Sequence, residues 1–221
     1  METLNLNPDS AVALIAARAK ATHAKTGKRV AIGIAGGPGV GKSTIAAEVV
    51  RVLNLERRDF AALVPMDGFH MRHKKLEEIG LVERKGSPET FEGATFAAYL
   101  MRIKGAKRAV NGPGYSRQIE DVVDDAFTIP AEVGALIVEG NYLLLPDPPW
   151  DLVKPLLDLA VFIHIPRDKV MRRLMKRHGE NPAFTDKRNR THVSRVDLPN
   201  YDLVERSRPR ADVSIDLETQ A

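Results

Sequence analysis

The chain contains no cysteine among its 221 residues, which excludes disulfides and thiolate metal centres. It has no apolar stretch approaching the roughly 20 residues needed to cross a bilayer, and its amino terminus lacks the basic-then-apolar pattern of a secretion signal. A cytoplasmic location is therefore expected. Charge of one sign is also scarce: 33 Lys and Arg stand against 29 Asp and Glu, a formal net charge of +4. That balance is mild for a dedicated nucleic-acid binder, and no nucleic-acid motif accompanies it. Neither nucleic acid nor membrane is expected as a partner. Internal repeats and low-complexity tracts are lacking too, so one domain spanning 1–221 is expected.

What is present is a phosphate-binding loop. Gly36-Gly37-Pro38-Gly39-Val40-Gly41-Lys42-Ser43 completes the pattern G-x-x-x-x-G-K-[ST]. The apolar run Val30–Ala35 before it reads as a buried parallel strand, and Thr44–Leu53 after it carries helical spacing. Glycines let successive backbone N–H groups converge on one concavity, and the following helix adds the positive end of its dipole. Lys42 is expected to reach the β- and γ-phosphates of a nucleoside triphosphate, and the Ser43 hydroxyl to ligate Mg²⁺. A second glycine pattern, Gly33-x-x-x-Gly37-x-Gly39, hints at a dinucleotide site. Gly33 falls inside the strand, however, and the Lys-Ser pair has no use there.

Four further apolar runs are expected as strands: 60–66, 134–138, 159–165 and 211–215. Helices are expected over about 9–26, 43–55, 92–104, 150–157 and 167–178. Alternating strands and helices imply a parallel sheet covered on both faces. Ligands of such sheets lie beyond the carboxyl ends of the strands. Asp67 and Glu139 each end one of these runs and precede a glycine. Phosphoryl transfer needs a carboxylate for the attacking hydroxyl and one on the metal side. Asp67 is assigned the first role and Glu139 the second, although the residues alone allow the roles to be exchanged.

The basic stretch 167–178 reads as a helix with Val170, Met171, Leu174 and Met175 inward and Arg172, Arg173, Lys176 and Arg177 outward. That outer face is partly a solvated one, but Arg172 or Arg173 can also reach across to the transferring phosphoryl. With Gly179 to Asn200, it forms an expected lid over about 172–198. The segment 68–92, too polar for a core, is expected as a loop over the acceptor. His70 and His73 are an i,i+3 pair without a further ligand at suitable spacing, so zinc is not expected there. His164 is expected as a satisfied core imidazole and Trp150 as a packing anchor.

Taken together, several motifs resemble the P-loop kinases related to uridine kinase, phosphoribulokinase and bacterial pantothenate kinase, and most of all the bacterial proteins called fructose-transport-system or nucleoside/nucleotide kinases. They are the P-loop, Met66-Asp67-Gly68-Phe69-His70, Arg84–Phe91, Pro113-Gly114-Tyr115-Ser116-Arg117, Val138-Glu139-Gly140-Asn141-Tyr142 and Leu198-Pro199-Asn200. The resemblance implies an α/β, three-layer P-loop NTPase fold: a parallel five-stranded sheet in the order 2-3-1-4-5 with helices on both faces. It implies ATP with Mg²⁺, a small hydroxylated acceptor such as a sugar, nucleoside or pantothenate-like molecule, and a homodimer as one option. It places the P-loop and Thr44 on the nucleotide, with Asn200 and Arg210 bordering adenine. His70, Arg84, Lys85, Tyr115, Arg117 and Asn141 fall on the acceptor side with Asp67 and Glu139. Where pantothenate kinases tend to carry Tyr-Ser-His, this chain carries Tyr115-Ser116-Arg117.

Two other readings use the same loop. A GTPase-type switch calls for an Asn/Thr-Lys-x-Asp motif that the sequence lacks. A nucleotide-binding regulatory protein without turnover has only the slight basic excess in its favour.

Overall fold

A computed structural model describes residues 1–179 and 185–218. Its elements follow in the order β1 (Glu2–Leu6), α1 (Pro8–Thr26), β2 (Val30–Ala35), α2 (Lys42–Glu56), β3 (Ala61–Pro65), α3 (His73–Glu78), α4 (Gly93–Gly105), β4 (Val110–Ser116), β5 (Asp121–Ile129), β6 (Ala135–Gly140), β7 (Leu159–His164), α5 (Arg167–Gly179), α6 (Asp186–His192), α7 (Leu198–Glu205) and β8 (Val213–Leu217).

Alternate residues of the central strands enter two different cores, because side chains along a strand point to opposite faces. Ile32 and Ile34 of β2 join Val161 and Ile163 of β7 under α1 and α2. Ala31 and Ala35, with Leu136, Val138 and Phe162, pack on the other face under α4. The result is three layers. Every residue of β2 and β6 is buried, as expected for strands covered on both sides.

Six parallel strands take the order β1-β8-β7-β2-β6-β3. Five of them reproduce the expected 2-3-1-4-5 sequence. The sixth is β1, which pairs along β8 with Leu4 opposite Ile215. Its five residues are mostly exposed, so their composition carries no buried-strand signal. A two-stranded antiparallel ribbon, β4–β5, was likewise not expected. Its Asn111-Gly112-Pro113-Gly114 stretch has the composition of a turn, and the register shifts between Gly112 and Gly114.

Local chemistry accounts for both ends of α1. Asn7 caps α1 by accepting from the Ser10 N–H at 2.8 Å, and Gly27 closes it in the left-handed conformation. The helix expected over 150–157 is instead two 3₁₀ turns, Trp150–Leu152 and Lys154–Leu156. Pro155 supplies no N–H and prevents a continuous α-helical ladder there. Trp150 is indeed an anchor, packed against Phe91, Phe96 and Tyr142. His164 is satisfied as expected, with Nδ1 3.0 Å from Glu205 Oε1. No helix among the described residues is long and apolar enough to cross a membrane.

Candidate functional site

The P-loop leaves β2 and enters α2 through Gly41, whose φ of 97° lies in the left-handed region. A side chain there would strain the turn that aims the first N–H groups of α2 back into the loop. Tyr201 of α7 packs against the loop: a Cβ on Gly37 would come within 2.7 Å of its ring. Arg173 of α5 donates from Nη1 to the Val40 carbonyl at 3.3 Å. The loop is thus a backbone cradle walled by two other elements, which fits a triphosphate. Gly36, Pro38, Gly39 and Val40 complete it, while Thr44 stands exposed on the first turn of α2.

Beside the cradle, the Ser43 hydroxyl donates to Glu139 Oε2 at 3.0 Å. Glu139 ends β6 and is only 5% exposed. Burial pushes its carboxyl above the ordinary range, the Lys42 ammonium pulls it back, and Asp67 pushes it up again. A hydroxyl and a buried carboxylate at the edge of a phosphate cradle are a donor set suited to a hard cation such as Mg²⁺.

Asp67 lies in the 3₁₀ turn Met66–Phe69 that follows β3. Its backbone carbonyl, not its carboxylate, takes the neighbouring bond: His70 Nδ1 lies 2.9 Å from that oxygen. The carboxylate has no hydrogen bond or ion pair with the described residues. Gly68 makes the turn's position possible, because a Cβ there would fall 1.9 Å from the Pro113 carbonyl oxygen. The β4–β5 ribbon is therefore seated directly on the turn, and Tyr115 reaches the same side.

His70 is sandwiched between Phe91, with ring centroids 3.8 Å apart, and Tyr115, at 4.6 Å. Burial lowers its imidazole below the ordinary value, so the ring is neutral and held by stacking. Burial likewise pushes the Tyr115 phenol up, which keeps it a hydrogen-bond donor. Lys85 bonds the Glu120 carbonyl and places its ammonium 5.5 Å over the Tyr115 ring. Asn141 Oδ1 is buried with no hydrogen-bond partner among the described residues, which marks it for a ligand.

Several expected residues are placed differently. Arg172 pairs with Asp168 one turn back at 2.9 Å on the solvent face of α5. Arg177 lies four residues after Arg173 and so on the same face of α5. Its surroundings hold its guanidinium below the ordinary value, and it lies within electrostatic reach of Asp197, Arg117 and Asp67. Arg172, Arg173, Lys176 and Arg177 are all exposed, as the outward-face reading expected. Arg84 is paired with Glu89 at 2.5 Å at the surface, so its charge is spent within the loop.

Asn200 and Arg210 lie apart from one another. Asn200 Nδ2 donates to the Gly86 carbonyl at 3.1 Å, where the Tyr142 hydroxyl bonds the same oxygen. Arg210 lies in the turn Arg208–Arg210 just before β8, at the amino ends of the parallel strands and opposite the P-loop. The 68–92 segment is not a plain loop but holds α3 and two 3₁₀ turns, Val82–Arg84 and Pro88–Thr90, strapped to the Asp67 turn by Met71 N–H to Thr90 O and Glu92 N–H to Phe69 O, both 2.8 Å. Of the expected lid, Asn181 and Pro182 fall outside the described residues.

No family model matches the chain. It is 31% identical over 194 residues to "Putative uridine kinase C227.14" of Schizosaccharomyces pombe, covering 84% of this chain and 82% of that one. It is 34% identical over 163 residues to the pantothenate kinase of Enterococcus faecalis, covering 72% of this chain and 53% of that enzyme. Among solved structures, a "putative fructose transport system kinase" from Silicibacter sp. TM1040 superposes with a TM-score of 0.80 at 28% identity, over 90% of this chain and 98% of that one. With its P-loop, strand-end carboxylates and sheet order, the chain belongs to the family of P-loop small-molecule kinases that includes the uridine and pantothenate kinases.

Proposed function

We propose that this kinase transfers the γ-phosphoryl group of ATP, bound with Mg²⁺, to a hydroxyl of a small acceptor. The observation that carries this reading is the Asp67 carboxylate, which has no hydrogen bond within the described protein yet lies beside Glu139 and the P-loop. A carboxylate left open there is placed to accept a proton from an acceptor hydroxyl. As the hydroxyl oxygen bonds to the γ-phosphorus, the bond to the bridging oxygen breaks, ADP leaves, and Asp67 takes the proton.

The remaining residues position and neutralise. The P-loop N–H groups and Lys42 hold the phosphates, and Arg173 and Arg177 face the developing charge from α5. Mg²⁺, held by Ser43 and Glu139, would supply further charge neutralisation on the phosphate oxygens. The part of the lid formed by α5 and α6 would exclude water from the γ-phosphate. On the acceptor side, His70, Tyr115 and Asn141 offer stacking and hydrogen bonds. Lys85, Arg117 and Arg177 make that wall cationic, which favours an acceptor bearing a carboxylate or phosphate over a bare nucleoside. Pantothenate, named for one relative and bearing a carboxylate, is the first candidate to screen, with uridine, named for another, as the bare-nucleoside comparison.

The test is ADP release with and without sugars, nucleosides, hydroxy acids and pantothenate. Acceptor-dependent turnover that Lys42→Ala removes is the expected result. Turnover at the same rate without any acceptor would replace the reading with that of an NTPase, and no turnover with any acceptor would leave a nucleotide-binding regulator.

A further inference from the structure

Away from the P-loop, two helices bring together three ligand-type side chains. His178 is near the end of α5, His192 ends α6, and Asp197 ends a π-helical turn, Val193–Asp197. One ligand atom from each lies within 4.8 Å of the others. His178 Nε2 is 2.8 Å from Asp197 Oδ2, and the two imidazoles meet edge to face with centroids 5.4 Å apart. Asp197 is 8% exposed, and both histidines are half-buried.

The π-turn is a second, independent observation. In an α-helix, residues five apart point about 140° away from each other. His192 and Asp197 would then lie on nearly opposite faces. The turn instead bonds the Leu198 N–H to the Val193 carbonyl, five residues back, and each residue turns through a smaller angle. That wider winding brings residues 192 and 197 onto one face, toward His178. Such turns are rare and concentrate at functional sites.

We infer that His178, His192 and Asp197 form a zinc site that fastens the end of α5 to α6. Two imidazole nitrogens and one carboxylate oxygen are a three-ligand set for Zn²⁺, with a fourth position open to water. Tetrahedral ligands at Zn–N distances of about 2.0–2.1 Å lie about 3.3 Å apart, so the His178–Asp197 pair at 2.8 Å opens by about 0.5 Å and the widest separation, at most 4.8 Å, closes by up to about 1.5 Å. The metal replaces the His178–Asp197 hydrogen bond with two coordinate bonds. Nearby Arg177 and Arg188 oppose any cation electrostatically, so binding must come from the strength of the metal–nitrogen bonds. That selects zinc over Mg²⁺ or Ca²⁺, which prefer all-oxygen shells. Because Arg177 directly precedes His178, the same clamp would restrain an arginine within electrostatic reach of Asp67.

The experiment uses the full chain, stripped with chelator and exchanged into buffer containing excess Mg²⁺. Zn²⁺ titration by calorimetry, and Co²⁺ titration read by its ligand-field absorption, are expected to give one ion per chain with a tetrahedral spectrum. His192→Gln and Asp197→Asn are each expected to weaken binding by more than about a hundredfold, and His73→Gln, on exposed α3, to leave it unchanged. Circular dichroism of each variant separates lost binding from lost folding. His192→Gln alone is decisive if Asp197→Asn unfolds. An absence of saturable Zn²⁺ binding, an octahedral Co²⁺ spectrum, or full affinity in a folded His192→Gln variant would overturn the assignment. Zinc binding is read without turnover, so its failure is distinct from failure of the kinase reading.

Discussion

The Ser43 hydroxyl donates to the Glu139 carboxylate at 3.0 Å, joining the first turn of α2 to the end of β6. β6 pairs in parallel with β2, so the bond sets the P-loop helix against the carboxyl end of the neighbouring strand. It also holds an ionisable group in a site that penalises its charge. Glu139 is kept there at a cost to stability, which is expected where charge serves function.

Replacing Glu139 with Gln should therefore stabilise the fold while impairing turnover. Its folded pKa is raised above 4.5, so the ionised form costs stability above that folded value, and the cost disappears as pH falls through it. The gain on substitution, about 1 kcal/mol, should be largest at neutral and higher pH. Thermal melting across pH, alongside the Mg²⁺ dependence of ADP release, checks both halves. A melting temperature that falls at neutral pH contradicts the argument.

Asp67→Asn should lower kcat by roughly 10²–10⁴-fold, the range of general-base catalysis. KM for ATP should change little, because the carboxylate faces the acceptor side. If nucleotide affinity collapses while kcat holds, Asp67 and Glu139 exchange roles.

Arg177→Ala and Arg172→Ala should behave differently despite lying five residues apart on one helix. Arg177 lies within electrostatic reach of Asp67 and Arg117, and its loss should cut kcat by roughly a hundredfold or more. Arg172 forms an exposed pair with Asp168, worth at most about 1 kcal/mol, and its loss should leave kcat near wild type. Steady-state kinetics on the two variants decides which arginine serves the lid.

Stability should decline on mild acidification. The His70 imidazole is depressed below 6.5 by burial, and His192 shifts in the same direction. As pH falls, the unfolded chain takes up the proton first. Their contribution is complete above about 6.5 and is lost as pH drops toward the depressed folded values. Melting curves from about pH 8 to about pH 5 should show the loss, and His70→Gln should flatten it. An unchanged slope in that variant would remove His70 from the explanation.

Residues whose role is local were legible from the sequence. The P-loop needs specific types at fixed spacing, and Gly41, Lys42 and Ser43 stand where the pattern puts them. Strands buried on both faces are continuous apolar runs, so the expected five were found, and Asp67 and Glu139 were marked by ending two of them. The exposed edge strand β1 carries no such run. The β4–β5 ribbon reads as a turn because its glycines and proline serve close approach, as Gly68 and the Pro113 carbonyl show.

Sequence by itself determined the fold class, the nucleotide end of the sheet and the two carboxylates there, because periodicity and motif spacing are properties of neighbouring residues. Tertiary structure alone decided that Arg173 reaches the Val40 carbonyl, that Asn200 bonds the Gly86 carbonyl and that Arg210 lies at the end of the sheet opposite the P-loop. It also decided that His178, His192 and Asp197 meet. Those outcomes depend on helix rotation, strand direction and a π-turn, and each is set by packing between segments far apart in the chain.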